Sequence, residues 1–91
     1  GMVYPDTAKW GQTNADLLQL AMESKHRRTR ERWLALYMIA SRQTNATQWA
    51  KELGRTDDTV LSWVHRYNDK GPEALGYRRS GGRAPLFREN R

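Results

Sequence analysis

The chain has 91 residues, enough for one small domain that buries roughly 60% of its unfolded-chain surface. It has no cysteine, which excludes a disulfide framework and a thiolate metal site, and its two histidines, His26 and His65, would need carboxylate help to hold a metal. The net charge of +6 is unevenly placed: residues 25–32 (KHRRTRER) and residues 76–91 each carry five bases against one acid, while residues 1–24 sum to −2 and residues 33–75 to zero. Such blocks concentrate a polyanionic partner, nucleic acid foremost, or are merely solvated, and charge alone does not choose. The longest apolar run, Trp33 to Ala40, is too short for a membrane span or a signal peptide. A soluble intracellular protein is therefore expected, and Gly1 before Met2 reads as a residue left by tag cleavage.

Residues 1–14 (GMVYPDTAKWGQTN) show no sustained periodicity and read as an N-terminal arm. Tyr4 and Trp10 are large enough that the arm should dock, either on the domain or on a second subunit. Asn14 is a candidate cap for a first helix over about residues 15–24, with Leu17, Leu18 and Ala21 on one face. A second helix is expected over 29–42. There Trp33, Leu36, Tyr37 and Ala40 make one stripe, and Leu34, Met38 and Ser41 fill the next. Its apolar residues run nearly all round, so it should be the central helix of the core.

Thr44 and Asn45 are candidate caps for a short third helix, residues 46–53, and Gly54 ends it. Thr56 caps a fourth helix that carries Asp57 and Asp58 in its first turn, beside the positive end of the helix dipole. Val60, Trp63, Val64 and Tyr67 form its apolar stripe, and Gly71-Pro72 stops it. Pro72 can open one more short turn (PEAL) before a basic tail, residues 76–91. The expected fold is all-α: a small bundle of four to five helices, residues 15–75, between an arm and a tail.

Within this bundle the third and fourth helices have the pattern of a helix-turn-helix. The first helix of that motif needs a small residue where the second crosses it, the turn needs glycine, and apolar residues must line the junction. Ala50, Gly54, Val60 and Trp63 occupy those places, and Trp49 and Leu53 complete the apolar set. The alternative is an ordinary helical hairpin in a core.

The stretch from about residue 25 to residue 87, and above all ATQWAKELGRTDDTVLSWVHRYNDKGPEALGYRRSGGRAP, resembles the N-terminal DNA-binding region of mariner-type bacterial insertion-sequence transposases. The resemblance rests on Trp49, Ala50, Leu53 and Gly54, then Thr59, Val60, Trp63 and Tyr67, then Gly71 and Leu75, then Arg79 to Pro85. It covers most of the chain and leaves out the arm. It implies a homeodomain-like or paired-like fold that binds double-stranded DNA at the terminal inverted repeats of a mobile element.

The same resemblance places Arg55, Thr56, Asp57, Asp58, Leu61, Ser62, His65 and Arg66 on the turn and outer face of the reading helix. Arg66 and His65 have the chemistry for phosphates or guanine edges, Ser62 bonds to either, and Leu61 suits a thymine methyl. Equally, Arg66 can solvate the helix end and Leu61 can pack on a neighbouring helix. Arg55 stands where the family usually has a small aliphatic residue, and is expected to snorkel outward towards a phosphate. Asp57 and Asp58 also depart from what a polyanion wants. They are expected to be chiefly structural, with a cytosine preference as a side effect.

Arg27, Arg28, Arg30 and Arg32 are candidate phosphate contacts, which position a protein without specifying sequence. In the tail, Arg78, Arg79 and Arg83 flank glycines as in segments that enter an A·T-rich minor groove, although Ala84 separates Arg83 from Pro85. A flexible basic linker is the alternative.

The related transposases perform chemistry with three carboxylates in a separate downstream domain, and nothing here has the spacing of a phosphate loop, a nucleophile with its base or a metal motif. The chain is expected to be non-catalytic, without a cofactor, metal, membrane or small-molecule substrate, and to work in the bacterial nucleoid. It would then be the end-recognition module of a transposase. The alternatives are a free-standing homeodomain-like regulator, or an oligomerisation module whose DNA binding is incidental.

Overall fold

A computed structural model of the chain describes residues 2–75. Four α-helices follow one another: α1 (Asn14–Glu23), α2 (Arg27–Ala40), α3 (Ala46–Leu53) and α4 (Asp57–Lys70). One 3-10 turn, Thr7–Trp10, precedes them and another, Pro72–Ala74, closes the domain. The fold is the all-α bundle expected, with no strand among the described residues.

The ends of the first two helices differ from expectation. Thr13, one residue before Asn14, caps α1: its hydroxyl accepts from the Asp16 N–H at 3.2 Å, and the Asp16 carboxylate accepts from the Thr13 N–H at 2.8 Å. A box of this kind needs an acceptor three residues after the cap, and Asn14 has Leu17 there. Helix α2 begins at Arg27 and stops at Ala40, short of Arg42. Arg42 takes a left-handed conformation (φ 65°), with Arg42 N–H to Ile39 O at 3.0 Å and Gln43 N–H to Met38 O at 3.1 Å closing the helix end. Its guanidinium stacks 3.5 Å from the centre of the Tyr4 ring and donates to Ala40 O at 3.0 Å. Those contacts offset a backbone that arginine rarely adopts.

Helix α2 is the central element, as its apolar run suggested. It buries Thr29, Trp33, Ala35, Leu36, Ile39 and Ala40, while Tyr37 stays half-exposed. Helix α1 lays Leu17 and Ala21 into the core and packs on α2, while α3 packs mainly on α4. Helix α4 contributes Val60, Trp63, Val64 and Tyr67, all of its expected stripe. The Trp33 and Tyr67 rings meet edge to face, 6.3 Å between centres and 85° between planes. After α4 the Pro72–Ala74 turn carries Leu75 back into the core, where it is fully buried. Burying a leucine contributes about 2 kcal/mol, which gives the short turn its purpose.

The arm docks on its own chain. Asn68 of α4 accepts from the Asp6 N–H at 2.7 Å through Oδ1 and donates to Tyr4 O at 3.0 Å through Nδ2. Lys9 Nζ donates to Asn68 O at 2.7 Å, and the Tyr67 hydroxyl donates to Gln12 Oε1. Trp10 lies flat against Gly71: a Cβ built on that glycine would sit 3.1 Å from the indole.

Gly71 has φ 93° and ψ −178°, a region open in practice only to glycine. Gly71→Ala therefore carries both backbone strain and a collision with Trp10, and should cost about 1–3 kcal/mol in denaturant unfolding. Gly54→Ala, left-handed but with open space around it, should cost about 1 kcal/mol and no more. Equal losses would contradict the Trp10 contact.

Burial, with the Asp6 and Asp16 charges adding to it, pushes the Tyr67 hydroxyl up to about 12. Its neutral form is thus favoured by folding. That contribution is whole below the unfolded tyrosine value of about 10 and is lost as pH rises towards 12. Stability measured from pH 9 to about 12 should fall less steeply in Tyr67→Phe than in the parent chain. Parallel curves would refute the assignment.

Candidate nucleic-acid interface

Helices α3 and α4 are joined by a turn whose closure follows from its sequence. Gly54 is left-handed (φ 73°), the Gly54 N–H reaches Lys51 O at 3.2 Å, and the Arg55 N–H reaches Ala50 O at 2.9 Å. Together they satisfy two of the last four carbonyls of α3, those of Ala50 and Lys51. Ala50 is buried to 1% exposure, as a small residue at a helix crossing should be. Asn45 caps α3 by accepting from the Gln48 N–H at 2.9 Å. Thr56 caps α4: its hydroxyl accepts from the Thr59 N–H at 3.3 Å and shares a hydrogen bond with the Thr59 hydroxyl at 3.0 Å.

The inner face of α4 is spent on the core, and its outer face carries the chemistry. Thr56, Asp57, Asp58, Ser62, His65 and Arg66 are exposed and Leu61 is half-buried, packed against the core cluster. Asp57 and Asp58 occupy the first turn and have no side-chain partner among the described residues, so their one evident structural role is towards the helix dipole. Ser62 donates its hydroxyl to Thr59 O at 2.7 Å, which leaves the oxygen facing outward as an acceptor. His65 and Arg66 have no side-chain partner among the described residues.

Arg55 is not free. Its Nε and Nη2 groups donate to the two carboxylate oxygens of Glu31 at 3.0 and 2.9 Å. Hydrogen bonding to Glu31, and then its charge, hold the guanidinium above its ordinary value. Glu31 is the one acid of the first basic block, and nothing in the sequence singled it out as the partner of a residue 24 positions away. The pair brings that block against the start of α4.

In α2, Arg27, Arg28 and Arg30 are exposed and Arg32 is partly so. Arg30 Nε donates to Ser24 O at 3.3 Å. The first turn of α2 has no acid and no side-chain cap, so arginines stand at the positive end of the helix dipole. The partial positive charge of the helix start adds to their own. Arg78, Arg79 and Arg83 lie outside the described residues.

A short helix, a left-handed glycine turn, a second helix packed by its inner face and a polar outer face define a helix-turn-helix protein, the class that docks its second helix in the DNA major groove. The model of the winged helix-turn-helix family matches residues 32–89, and the chain belongs to that family. The match takes in most of α2 and all of α3 and α4, and leaves out the arm and α1. Its last residues, 76–89, lie outside the described ones. Neither a curated protein nor a solved structure matches the chain significantly. No helix among the described residues is long and apolar enough to cross a membrane.

Removing both acids tests their structural role. Asp57→Ala with Asp58→Ala should lower stability by about 1 kcal/mol, through loss of the dipole interaction. The same change should tighten binding to non-specific duplex, because two negative charges leave the outer face. Thermal melts and titrations with duplex at one salt concentration check both. Weaker binding with an unchanged melting temperature would overturn the assignment.

Proposed function

We propose that this chain is the end-recognition module of an insertion-sequence transposase of the mariner type: a sequence-specific binder of double-stranded DNA that performs no catalysis itself. The observation that carries it is the placement of the α2 basic block beside the start of α4 through Arg55 and Glu31, at 2.9 Å. Phosphate-holding cations and a base-reading helix then approach one duplex together, which is how helix-turn-helix proteins combine positioning with reading. The quoted likeness in Trp49, Ala50, Leu53, Gly54, Thr59, Val60, Trp63 and Tyr67 supports the narrower transposase assignment.

On this proposal Arg27, Arg28, Arg30 and Arg32 hold phosphates. Thr56 and the first turn of α4 enter the major groove. Ser62, as an acceptor, faces an exocyclic amine of cytosine or adenine, and Leu61 borders a thymine methyl. His65 and Arg66 reach a guanine edge or the far phosphates. Asp57 and Asp58 favour cytosine where they meet bases and repel phosphates elsewhere. Arg78, Arg79 and Arg83 extend the contact into an adjacent A·T-rich minor groove. The natural target is the terminal inverted repeat of a mobile element in the bacterial nucleoid.

Selection from random duplexes at roughly physiological salt, followed by sequencing, tests this. The expected result is one asymmetric site beside an A·T-rich tract. Affinity for that site should fall on the order of a thousandfold between about 50 and 200 mM salt, as about six phosphate contacts require. A palindromic site would point instead to a dimeric regulator. Salt-sensitive retention of all DNA with no enriched sequence would refute sequence-specific recognition.

A further inference from the structure

We propose that Glu31 and Arg55 form a neutral clamp that fixes the reading helix relative to the phosphate-binding helix, so that Arg55 acts as a positioning residue and not as a phosphate contact. The inference rests on the DNA-binding function proposed above and concerns how that site discriminates between sequences.

Three observations lead to it. The pair is a two-pronged fork, Nε to Oε2 at 3.0 Å and Nη2 to Oε1 at 2.9 Å, the geometry that constrains both partners in orientation as well as distance. Its ends lie at mechanically telling places. Arg55 immediately precedes Thr56, the cap of α4, while Glu31 sits between Arg30 and Arg32 of α2. Finally, Glu31 is half-buried, its side chain 21% exposed against 42% for Arg55, so the carboxylate is the anchored end and the turn is what it holds.

The electrostatics agree. A guanidinium matched by a carboxylate at hydrogen-bond distance is one half of a pair with no net charge, so the pair attracts a phosphate only weakly, and an approaching phosphate meets Glu31 behind Arg55. The arginines of the α2 block, Arg27, Arg28, Arg30 and Arg32, have no carboxylate partner among the described residues, so phosphate binding does not need Arg55. A phosphate contact on α2 and a base contact on α4 must be correctly spaced to serve the same duplex. The fork supplies a polar side-chain link between α2 and the turn that leads into α4, in addition to the Trp33–Tyr67 ring contact between the two helices. Loosening it should leave the bundle folded and blur the reading.

The test uses the full chain and the duplex enriched by selection, with a random duplex as competitor. Two quantities are read: the slope of log affinity against log salt, and the preference for the selected duplex. For Arg55→Gln the slope should stay at the parent value, because no phosphate contact is lost, while the preference falls on the order of tenfold, the worth of about one base contact. Glu31→Gln should lose preference to the same extent and steepen the slope by about 0.9, because Arg55 is released to find a phosphate. The double variant should return the slope to the parent value. Arg55→Lys keeps the charge but cannot fork, and should behave as Arg55→Gln does in preference. A slope reduced by about 0.9 in Arg55→Gln would make Arg55 a phosphate contact and overturn the clamp. An unaltered preference in Arg55→Gln would overturn it as well. Failure of the parent chain to prefer any duplex would be a different result, which refutes the function and not the clamp alone.

Discussion

The edge-to-face contact of Trp33 with Tyr67 is the constraint on which the other placements depend. It joins the central helix α2 to α4, the second helix of the helix-turn-helix, at the far end from the turn. Tyr67 is fully buried, yet its hydroxyl donates to Gln12 at the end of the arm, and the next residue, Asn68, holds the arm by three hydrogen bonds. A ring pair of this kind adds about 1 kcal/mol beyond the burial of its two members, and it fixes the rotation of α4 about its axis. Rotation is what matters for function. With Val60, Trp63, Val64 and Tyr67 turned inward, Asp58, Ser62, His65 and Arg66 can only face outward.

The arm closes the same end of the molecule by different physics. Lys9 meets a carbonyl near the α4 C-terminus, where a cation is favoured by the dipole, and Trp10 covers Gly71, where no other residue could take the backbone conformation. Helix α4 is thereby tied at both ends. The ring, arm and glycine hold its C-terminal end; the Thr56 cap and the Arg55 fork hold its start. A helix so restrained presents its outer face without paying ordering entropy at the moment of binding, a benefit that flexible readers lack.

Much of this was legible in the sequence because the signals were local. The 3.6-residue period gave the inner faces of α2 and α4, Asn45 and Thr56 declared two helix starts, and Gly54 declared the turn. The helix-turn-helix was readable for the same reason, since its Ala50, Gly54, Val60 and Trp63 lie within fourteen residues. The failures were also instructive. Asn14 and Thr13 are both good caps, and only the partner three residues on, Asp16 against Leu17, decides between them. Arg42 ends α2 in a left-handed conformation stabilised by Tyr4, a residue 38 positions earlier in the chain. Glu31 finds Arg55 across 24 positions. Neither contact has a local sequence signature, so pattern reasoning extended α2 and left Arg55 without a partner.

Two places break the rule that charges should complement helix dipoles, or break the rule for meeting DNA, and they break opposite ones. At the start of α2, arginines stand at the positive end of a helix that has neither a side-chain cap nor an acid in its first turn. This arrangement opposes folding by a few tenths of a kcal/mol for each charge, and nothing in the core requires it. At the start of α4, Asp57 and Asp58 suit the helix and oppose a polyanion. Local inconsistencies of the first kind are expected where a ligand, not the fold, has set the residue. The second kind is expected where the fold needs a rigid helix start more than the ligand needs one more attraction. On the proposed function the two divide the labour: α2 would supply attraction at some cost in stability, and α4 a fixed surface at some cost in attraction. A protein arranged this way would, on that proposed function, bind by its block of arginines and discriminate by how well the outer face of α4 fits what those arginines have captured.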